Sequence, residues 1–561
     1  MIRALSLSIL TLAVAGGVAL TAVVQPAPGD ATLVIVNARV YTVDPSRPDA
    51  QAIAARGDRL IVVGSNADAL AVRGPQTEVI DAGGRAVIPG LHDAHGHMLG
   101  LGQSLQDVDL RGTTSARAVV DAVRARALTV PKGQWVVGRG WDQNDWPEAT
   151  WPTAADLDAA VPDHPVYLSR VDGHAAWVNG AAMRAAALTA AVTDPDGGRV
   201  IRTSAGEPTG VLVDTAMSLV ARHIPADDVA RHREQLRLAD DLAARLGLTM
   251  VHDAGVGWDD AAMYRAVADE GALKTRLYVM LRPPRDGETL PPPLIGHASH
   301  LLTVRAVKLA ADGALGSRGA ALHDPYSDEP TTNGLLVTPP DRLYAQALAS
   351  VRAGYQPCIH AIGDRANTAV LDLFERLQRE VPGSRSLRMR DEHAQILRPA
   401  DIPRFAALEV IASVQSTHAT SDMPWVADRI GEIRTREGAY MWQALRRSGA
   451  RLANGSDFPV EEPNPMFGFY AAITRQDREG RPPGGWMPDQ RLTRTEALHS
   501  FTAGAAYAAH LEHDLGILRA GMLADLLVLS DDIMQVPAAQ VLSARPLVTI
   551  RGGQVTYRDG L

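Results

Sequence analysis

The stretch Val87-Ile-Pro-Gly-Leu-His-Asp-Ala-His-Gly-His97 decides how the rest of the chain is read. It opens as a short apolar run, crosses a Pro-Gly pair and ends in a His-Gly-His triplet. In a strand, side chains two apart project from one face, so His95 and His97 lie about 7 Å apart along the backbone and both imidazoles can grip one ion. Paired histidines two apart are common on surfaces and in cores. What makes this pair a candidate for metal binding is its setting, at the end of a short apolar strand after a tight turn.

Working outward, further ligand-type residues recur where strands should meet loops. Lys308 sits inside the apolar run 304–313, where a buried ammonium is costly without a partner. His360 lies in 356–364, His393 in 390–395 and Asp457 in 451–459. The gaps between these positions each fit one or two βα units. Amphipathic stretches at 227–246, 340–353, 368–380 and 495–511 alternate with the apolar runs, which predicts parallel strands covered by helices. A closed (β/α)8 TIM-type barrel accommodates the length and collects such residues at the carboxyl rim of its strands.

The flanks read differently. Short β-rich runs at 32–43, 59–64 and 78–81 are matched by others at 521–530 and 547–557, so both chain ends are expected to form one small β-sandwich. The predicted organisation of this α/β chain is therefore a composite sandwich of 32–86 and 515–561 around a barrel of 87–514. The interval between His97 and the next strand near Met250 is too long for one βα unit, so an inserted lid is expected over about 100–235.

Composition sets outer limits. With 561 residues, 46% hydrophobic and 21% charged, two compact units are affordable. A net charge of -9 without a basic block argues against a nucleic-acid surface and leaves a small molecule as the partner. Homo-oligomerisation stays open. Glycine and proline are scattered at turns, Gly197-Gly198 and Gly552-Gly553 included, with no phosphate-loop spacing. The sole cysteine, Cys358, forms no internal disulfide and reads as a small buried thiol. Met1-Ile2-Arg3 followed by an uncharged run to Val24 reads as a signal peptide over 1–24, or as an uncleaved anchor that would be the only membrane contact. An exported protein, periplasmic or secreted, is the expectation.

Taken together, Pro89 through His97, Lys308 through Asp312-Gly313, His360-Ala-Ile-Gly-Asp364, Glu392-His393-Ala-Gln395, Gly455-Ser-Asp457 and Gly521 through Ala524-Asp525 resemble the amidohydrolase superfamily. Gly140-Trp-Asp-Gln-Asn-Asp-Trp146, Asp172-Gly-His-Ala-Ala-Trp-Val-Asn179, Gly206-Glu-Pro-Thr-Gly210 and Asp312-Gly-Ala-Leu-Gly-Ser-Arg318 are similar to its amidohydrolase-3, YtcJ-like branch, which includes N-substituted formamide deformylases. The resemblance implies that His95 and His97 hold a first metal, that His360 and His393 serve a second, and that Lys308 bridges them as a carbamate. Asp457 would be both ligand and proton shuttle. A single-metal site of His95, His97, His360 and Asp457 is the alternative. Divalent ions are implied, with zinc suited to these nitrogen and oxygen donors, and such an ion brings a water pKa from about 15.7 toward about 7.

The implied reaction is hydrolysis of an amide or other non-peptide C-N bond, of the N-substituted formamide or N-acyl amine kind. The rivals are deamination of a cyclic amidine at a mononuclear centre and a non-catalytic exported binding protein. Trp141, Trp146 and His174 are candidate pocket residues, the tryptophans equally readable as core anchors. Arg318 would orient a substrate carboxylate or carbonyl, or else form a surface ion pair. His92, His252, His323 and His418 read as structural histidines.

Overall fold

Eight short parallel strands form one sheet in chain order: β1 (Leu91–Gly96), β2 (Leu248–Val256), β3 (Arg276–Leu281), β4 (Leu302–Ala310), β5 (Gln356–Ala361), β6 (Arg390–His393), β7 (Ile411–Gln415) and β8 (Arg451–Gly455). This computed structural model describes residues 30–225, 228–285 and 288–561. The leader expected over 1–24 lies outside the described residues. The sheet curls back on itself where the Asp457 amide donates to the His95 carbonyl at 2.7 Å and Gly96 bridges Phe458 in parallel. The result is the expected TIM-type barrel.

The strands read as continuous apolar runs because helices cover their outer faces. Val229–Arg245, Trp258–Asp269, Pro340–Arg352 and Asp364–Glu380 supply part of that layer and meet the strands in one large core. The helix expected over 495–511 is instead two, Arg494–Ser500 and Ala503–Ala508. The break frees the Phe501 carbonyl to accept from the His92 amide at 2.8 Å, which ties the first barrel strand to this helical pair.

Before entering the barrel the chain builds a second unit. One four-stranded sheet joins Arg59–Gly64, Ala52–Arg56, Ala31–Val36 and Arg73–Asp81. A six-stranded sheet runs through Gln554–Arg558, Pro546–Arg551, Leu526–Leu529, Ala86–Pro89, Arg39–Tyr41 and Asp49–Ala50, so strands from both flanks share it. Ile35, Ile53, Val87, Val528, Val548 and Ile550 pack into one core between the sheets. Gly90 is the handover point from sandwich to β1. A Cβ there would lie 2.2 Å from Thr249 Oγ1, so only glycine lets the two strands approach.

Between β1 and β2 a six-stranded sheet of its own covers the rim, in the order Gly198–Arg202, Pro208–Asp214, Ala175–Val178, Val166–Arg170, Val136–Trp141, Val108–Asp109. The strands of this sheet lie between 108 and 214, inside the stretch expected as a lid. Helices Met98–Ser104 and Val229–Arg245, at its two ends, pack on each other in the barrel's own layer, with Gly102 set against the Gln235 backbone. Among the described residues no helix is long and apolar enough to cross a membrane.

Sandwich and barrel are pinned by a buried ion pair. Arg276 at the start of β3 donates from Nε and Nη2 to the two oxygens of Asp525, at 2.8 and 2.9 Å, and Asp525 also accepts from the Gly552 amide. Both side chains are almost fully enclosed. Removing one partner strands the other charge, so Asp525→Ala should cost about 3–5 kcal/mol and lower the thermal midpoint. The double change Arg276→Met/Asp525→Leu should recover most of that loss in scanning calorimetry; a midpoint unchanged in Asp525→Ala would contradict the assignment.

Candidate metal centre

The carboxyl ends of five strands bring their polar side chains together. His95 lies on β1 and His97 just beyond it, Lys308 on β4, His360 on β5, His393 at the end of β6, and Asp457 just after β8. Ligand atoms of His95, His393 and Asp457 lie within 4.8 Å of one another. The rings of His95 and His97 are 5.6 Å apart, those of His95 and His393 4.9 Å, and those of His360 and His393 4.6 Å. His393 and Asp457 both have left-handed backbones, φ 83° and 59°, a strain of about 1–3 kcal/mol each that surrounding structure must hold in place.

Each imidazole is oriented from behind. His95 Nδ1 donates to Glu392 Oε2 at 2.5 Å, His97 Nδ1 to the Ala254 carbonyl at 2.9 Å, and His393 Nδ1 to Gln415 Oε1 at 2.9 Å. Their Nε2 lone pairs are thereby turned inward. His360 has Nε2 3.4 Å from the Gly313 carbonyl and 3.5 Å from Asp312, whose carboxylate is itself fixed by the amides of Ala321, Ile362 and Gly363. Behind His95, Glu392 pairs with Arg390 at 2.7 Å, both fully buried.

The donor set fits a cation. Because His97 Nδ1 faces a carbonyl that only accepts, the neutral ring presents a lone pair at Nε2, yet that atom lies 3.0 Å from Asp457 Oδ1, another acceptor. His95 Nε2 is 3.6 Å from the same oxygen and accepts from Lys308 Nζ at 2.8 Å. Lone pairs converging on one point without a hydrogen between them are what a divalent ion satisfies. Ionisation agrees. Burial, reinforced by Lys308, brings His95 down to about 4, and burial holds His360 and His393 well below the ordinary imidazole range. Burial alone would raise Asp457, but the His97 ring beside it, with those of His95 and His393, keeps it well below the usual carboxylate range. Burial lowers Lys308, with Glu392 and Asp457 opposing.

Above this cluster opens a cavity of about 530 Å³, its floor carrying His97, Lys308, His360, His393, His418 and Asp457. The inserted sheet supplies the roof, including Asp142, Arg170 and His174. His174 Nδ1 donates to Asp214 at 2.8 Å, and its ring lies 5.9 Å from that of His360.

A family model described as the amidohydrolase family matches residues 78–557. The chain belongs to the amidohydrolase family. Over 96% of its length it is 34% identical to the protein LONG AFTER FAR-RED 3 of Arabidopsis thaliana, covering 94% of that protein. It is 32% identical to the putative amidohydrolase YtcJ of Bacillus subtilis, over 86% of this chain and 91% of that one, and 27% identical to the N-substituted formamide deformylase of Arthrobacter pascens, over 94% and 98%. These likenesses put it in the YtcJ-like branch. Among solved structures, an uncharacterized metal-dependent hydrolase from Pyrococcus horikoshii superposes with a TM-score of 0.73 at 28% identity, covering 90% of this chain and 99% of that one.

Not every expected residue of this amidohydrolase faces the cavity. Trp141 and Trp146 are core anchors of the inserted sheet. They pack with Trp177 at centroid distances of 6.0 and 6.3 Å, and their indoles donate to the Leu168 and Thr113 carbonyls. Their polar neighbours Asp142 and Asp145 reach the pocket instead. Arg318 does not line it; its guanidinium pairs with Asp328 at 2.9 Å and Glu329 at 3.4 Å. Cys358 is enclosed in β5, where burial pushes the thiol up. His92 and His252 lie buried inside the barrel, and His252 Nδ1 accepts from Arg390.

Other residues escaped the sequence reading. His418, set aside as structural, stacks on His393 and places Nε2 3.9 Å from Asp457 Oδ2. Gln415 gives no signal in sequence. Glu392 does: a carboxylate one position from a candidate ligand, inside the wholly buried strand Arg390–His393, requires partners. Glu392→Gln should keep the fold and weaken metal affinity about 10- to 100-fold, read as metal content after dialysis beside circular dichroism. Wild-type metal retention would refute the orienting role of Glu392.

Proposed function

We propose that this amidohydrolase cleaves an amide or related non-peptide C-N bond in a small molecule, of the N-substituted formamide or N-acyl amine kind. The observation that carries the reading is the set of inward lone pairs from His95, His97 and His393 around Asp457, each imidazole fixed from behind. The likeness to the Arthrobacter pascens deformylase supports the substrate class.

His95, His97, His360, His393 and Asp457 would hold the metal, with zinc the ion suited to them. A bound divalent ion supplies Lewis acidity, which acidifies water and polarises a carbonyl. Lys308 is read as a carbamate that serves two ions. Its ammonium would otherwise sit 2.8 Å from a ligand nitrogen at the same rim, whereas the carbamate anion turns a repulsive charge into an attractive one.

The chain's own groups then move protons. Asp457, ionised and 3.0 Å from His97 Nε2, takes the proton of the attacking water and delivers it to the departing nitrogen. His174, its Nδ1 held by Asp214, turns Nε2 toward the substrate from the opposite side. The roof excludes bulk water and limits the substrate to what the cavity admits. Export through the segment 4–24 is part of the same reading, supported by its long uncharged run.

Zinc-loaded protein presented with N-formyl amines, N-acyl amines and dipeptides should release acid and amine in equal amounts from the non-peptide amides. Asp457→Asn should lower kcat per bound metal by about 10²–10⁴-fold, with metal content measured on the same sample. Wild-type rates in that variant would remove Asp457 from proton transfer. Turnover confined to heterocyclic amidines, with ammonia released, would replace this reading with deamination.

A further inference from the structure

Hydrolysis of a C-N bond turns one neutral molecule into two ions of opposite sign. The water oxygen bonds to the carbonyl carbon and the C-N bond breaks. At neutral pH the acyl half departs as a carboxylate and the nitrogen, having gained protons, as an ammonium. A site for this chemistry has to accommodate both charges, and the space above the rim is divided in a way that does so.

Beside the main cavity lies a second chamber of about 320 Å³, between the inserted sheet and the barrel, and His97 lines both. The sheet side of this chamber carries Arg139, from the strand Val136–Trp141. Its Nη2 donates to the Val171 carbonyl at 2.7 Å. Its Nε is buried without a partner, and among the described residues no carboxylate lies within ion-pair distance of the guanidinium. Such a cation is costly to enclose, and an anion that completes its hydrogen bonds recovers that cost. Of the acids lining the chamber, Asp172 is bound by Arg170 and accepts from the His174 amide, so it is not the missing partner; Asp107 also lines it. Ser104, Ser169 and Gln103 add neutral polar groups.

The main cavity holds both signs, but its arginines are taken: Arg111 pairs with Asp109, Arg170 with Asp142 and Asp172, and Arg478 with Glu462. Asp145, Asp422 and Glu461 line it with no arginine or lysine in ion-pair contact among the described residues, and Asp422 instead accepts from Gln395 and Tyr440. Burial pushes Asp422 up to about 7 and raises Glu461, outweighing the opposing pull of His418 on both and of Arg478 on Glu461.

We propose that the chamber between the inserted sheet and the barrel is a carboxylate subsite, in which Arg139 receives the carboxylate of the acyl half while the acids of the main cavity face the amine half. The proposal rests on the hydrolase reading for the identity of the two halves. The carboxylate has two sources, an acid already carried by the acyl group or the one created by the reaction, and the chamber treats them alike. Arginine suits the task because its planar fork meets both carboxylate oxygens at once, which a lysine ammonium cannot do.

The test compares wild type, Arg139→Met and Arg139→Lys, each zinc-loaded and checked for metal content and circular dichroism. Titration calorimetry with acetate and with succinate needs no turnover, so it reports on the subsite whether or not any amide is cleaved. Both acids should bind Arg139→Met about tenfold or more weaker than wild type, with Arg139→Lys between them. Where turnover exists, the ratio of kcat/KM for a succinyl amide to that for the acetyl amide of the same amine should fall in Arg139→Met if the substrate carries the acid. An unchanged ratio with weakened product inhibition by acetate assigns the chamber to the product. Unchanged affinity for both acids in a folded, metal-replete Arg139→Met would overturn the subsite, and binding retained in Arg139→Lys but lost in Arg139→Met keeps it even if the methionine variant packs poorly.

Discussion

Acceptor facing acceptor is the constraint around which this molecule is organised. Neutral imidazoles and an ionised carboxylate are driven together at one rim, where without a cation they repel. Everything that keeps them there acts from outside the cluster. Glu392, Gln415 and a backbone carbonyl hold the ring tautomers, Arg390 neutralises Glu392 in the barrel interior, and two strained backbone positions aim His393 and Asp457 inward. The barrel supplies stiffness for this purpose: strands meeting at a common end bring groups from distant stretches of chain to one spot, and their covering helices keep the outer face dry.

The two additions to the barrel do different work. The inserted sheet has its own tryptophan-rich core, so it is rigid enough to place His174, Asp142 and Arg139 over the rim without borrowing stability from the metal ligands. Among the described residues the sandwich contributes no side chain to the metal cluster or to the cavity above it. It reaches the barrel at the amino ends of the strands, through Gly90 and the Arg276–Asp525 pair, and so bears on the site only by fixing where β1 begins. Chemistry is thus divided from anchorage by the length of the barrel strands.

Much of this was legible in the sequence because strand and helix periodicities are local. The runs that carry His95, Lys308, His360, His393 and Asp457 pointed to a common rim, and the barrel brings these residues together at the carboxyl ends of its strands. What escaped was decided by tertiary packing. Trp141 and Trp146 share a segment with Asp142 and Asp145, and nothing local says that the aromatic members turn inward while the acids turn to the cavity. Arg318 found its carboxylates ten and eleven residues on, in Asp328 and Glu329. His418 sits in a short helix after β7, and its place shows only in its contacts with His393 and Asp457. That the helices Met98–Ser104 and Val229–Arg245, on either side of the inserted sheet, pack on each other rests on contacts more than a hundred residues apart.

Strand Ala86–Pro89 finds its neighbour in Leu526–Leu529, across the whole length of the barrel. A nascent chain emerging from the ribosome therefore exposes an unpaired edge of this sheet until Leu526–Leu529 has been made. Loop closure over that distance is slow, and the waiting edge is a template for misassembly with other copies. Biogenesis of this amidohydrolase is consequently most vulnerable at its amino-terminal strands, long after those strands have been synthesised.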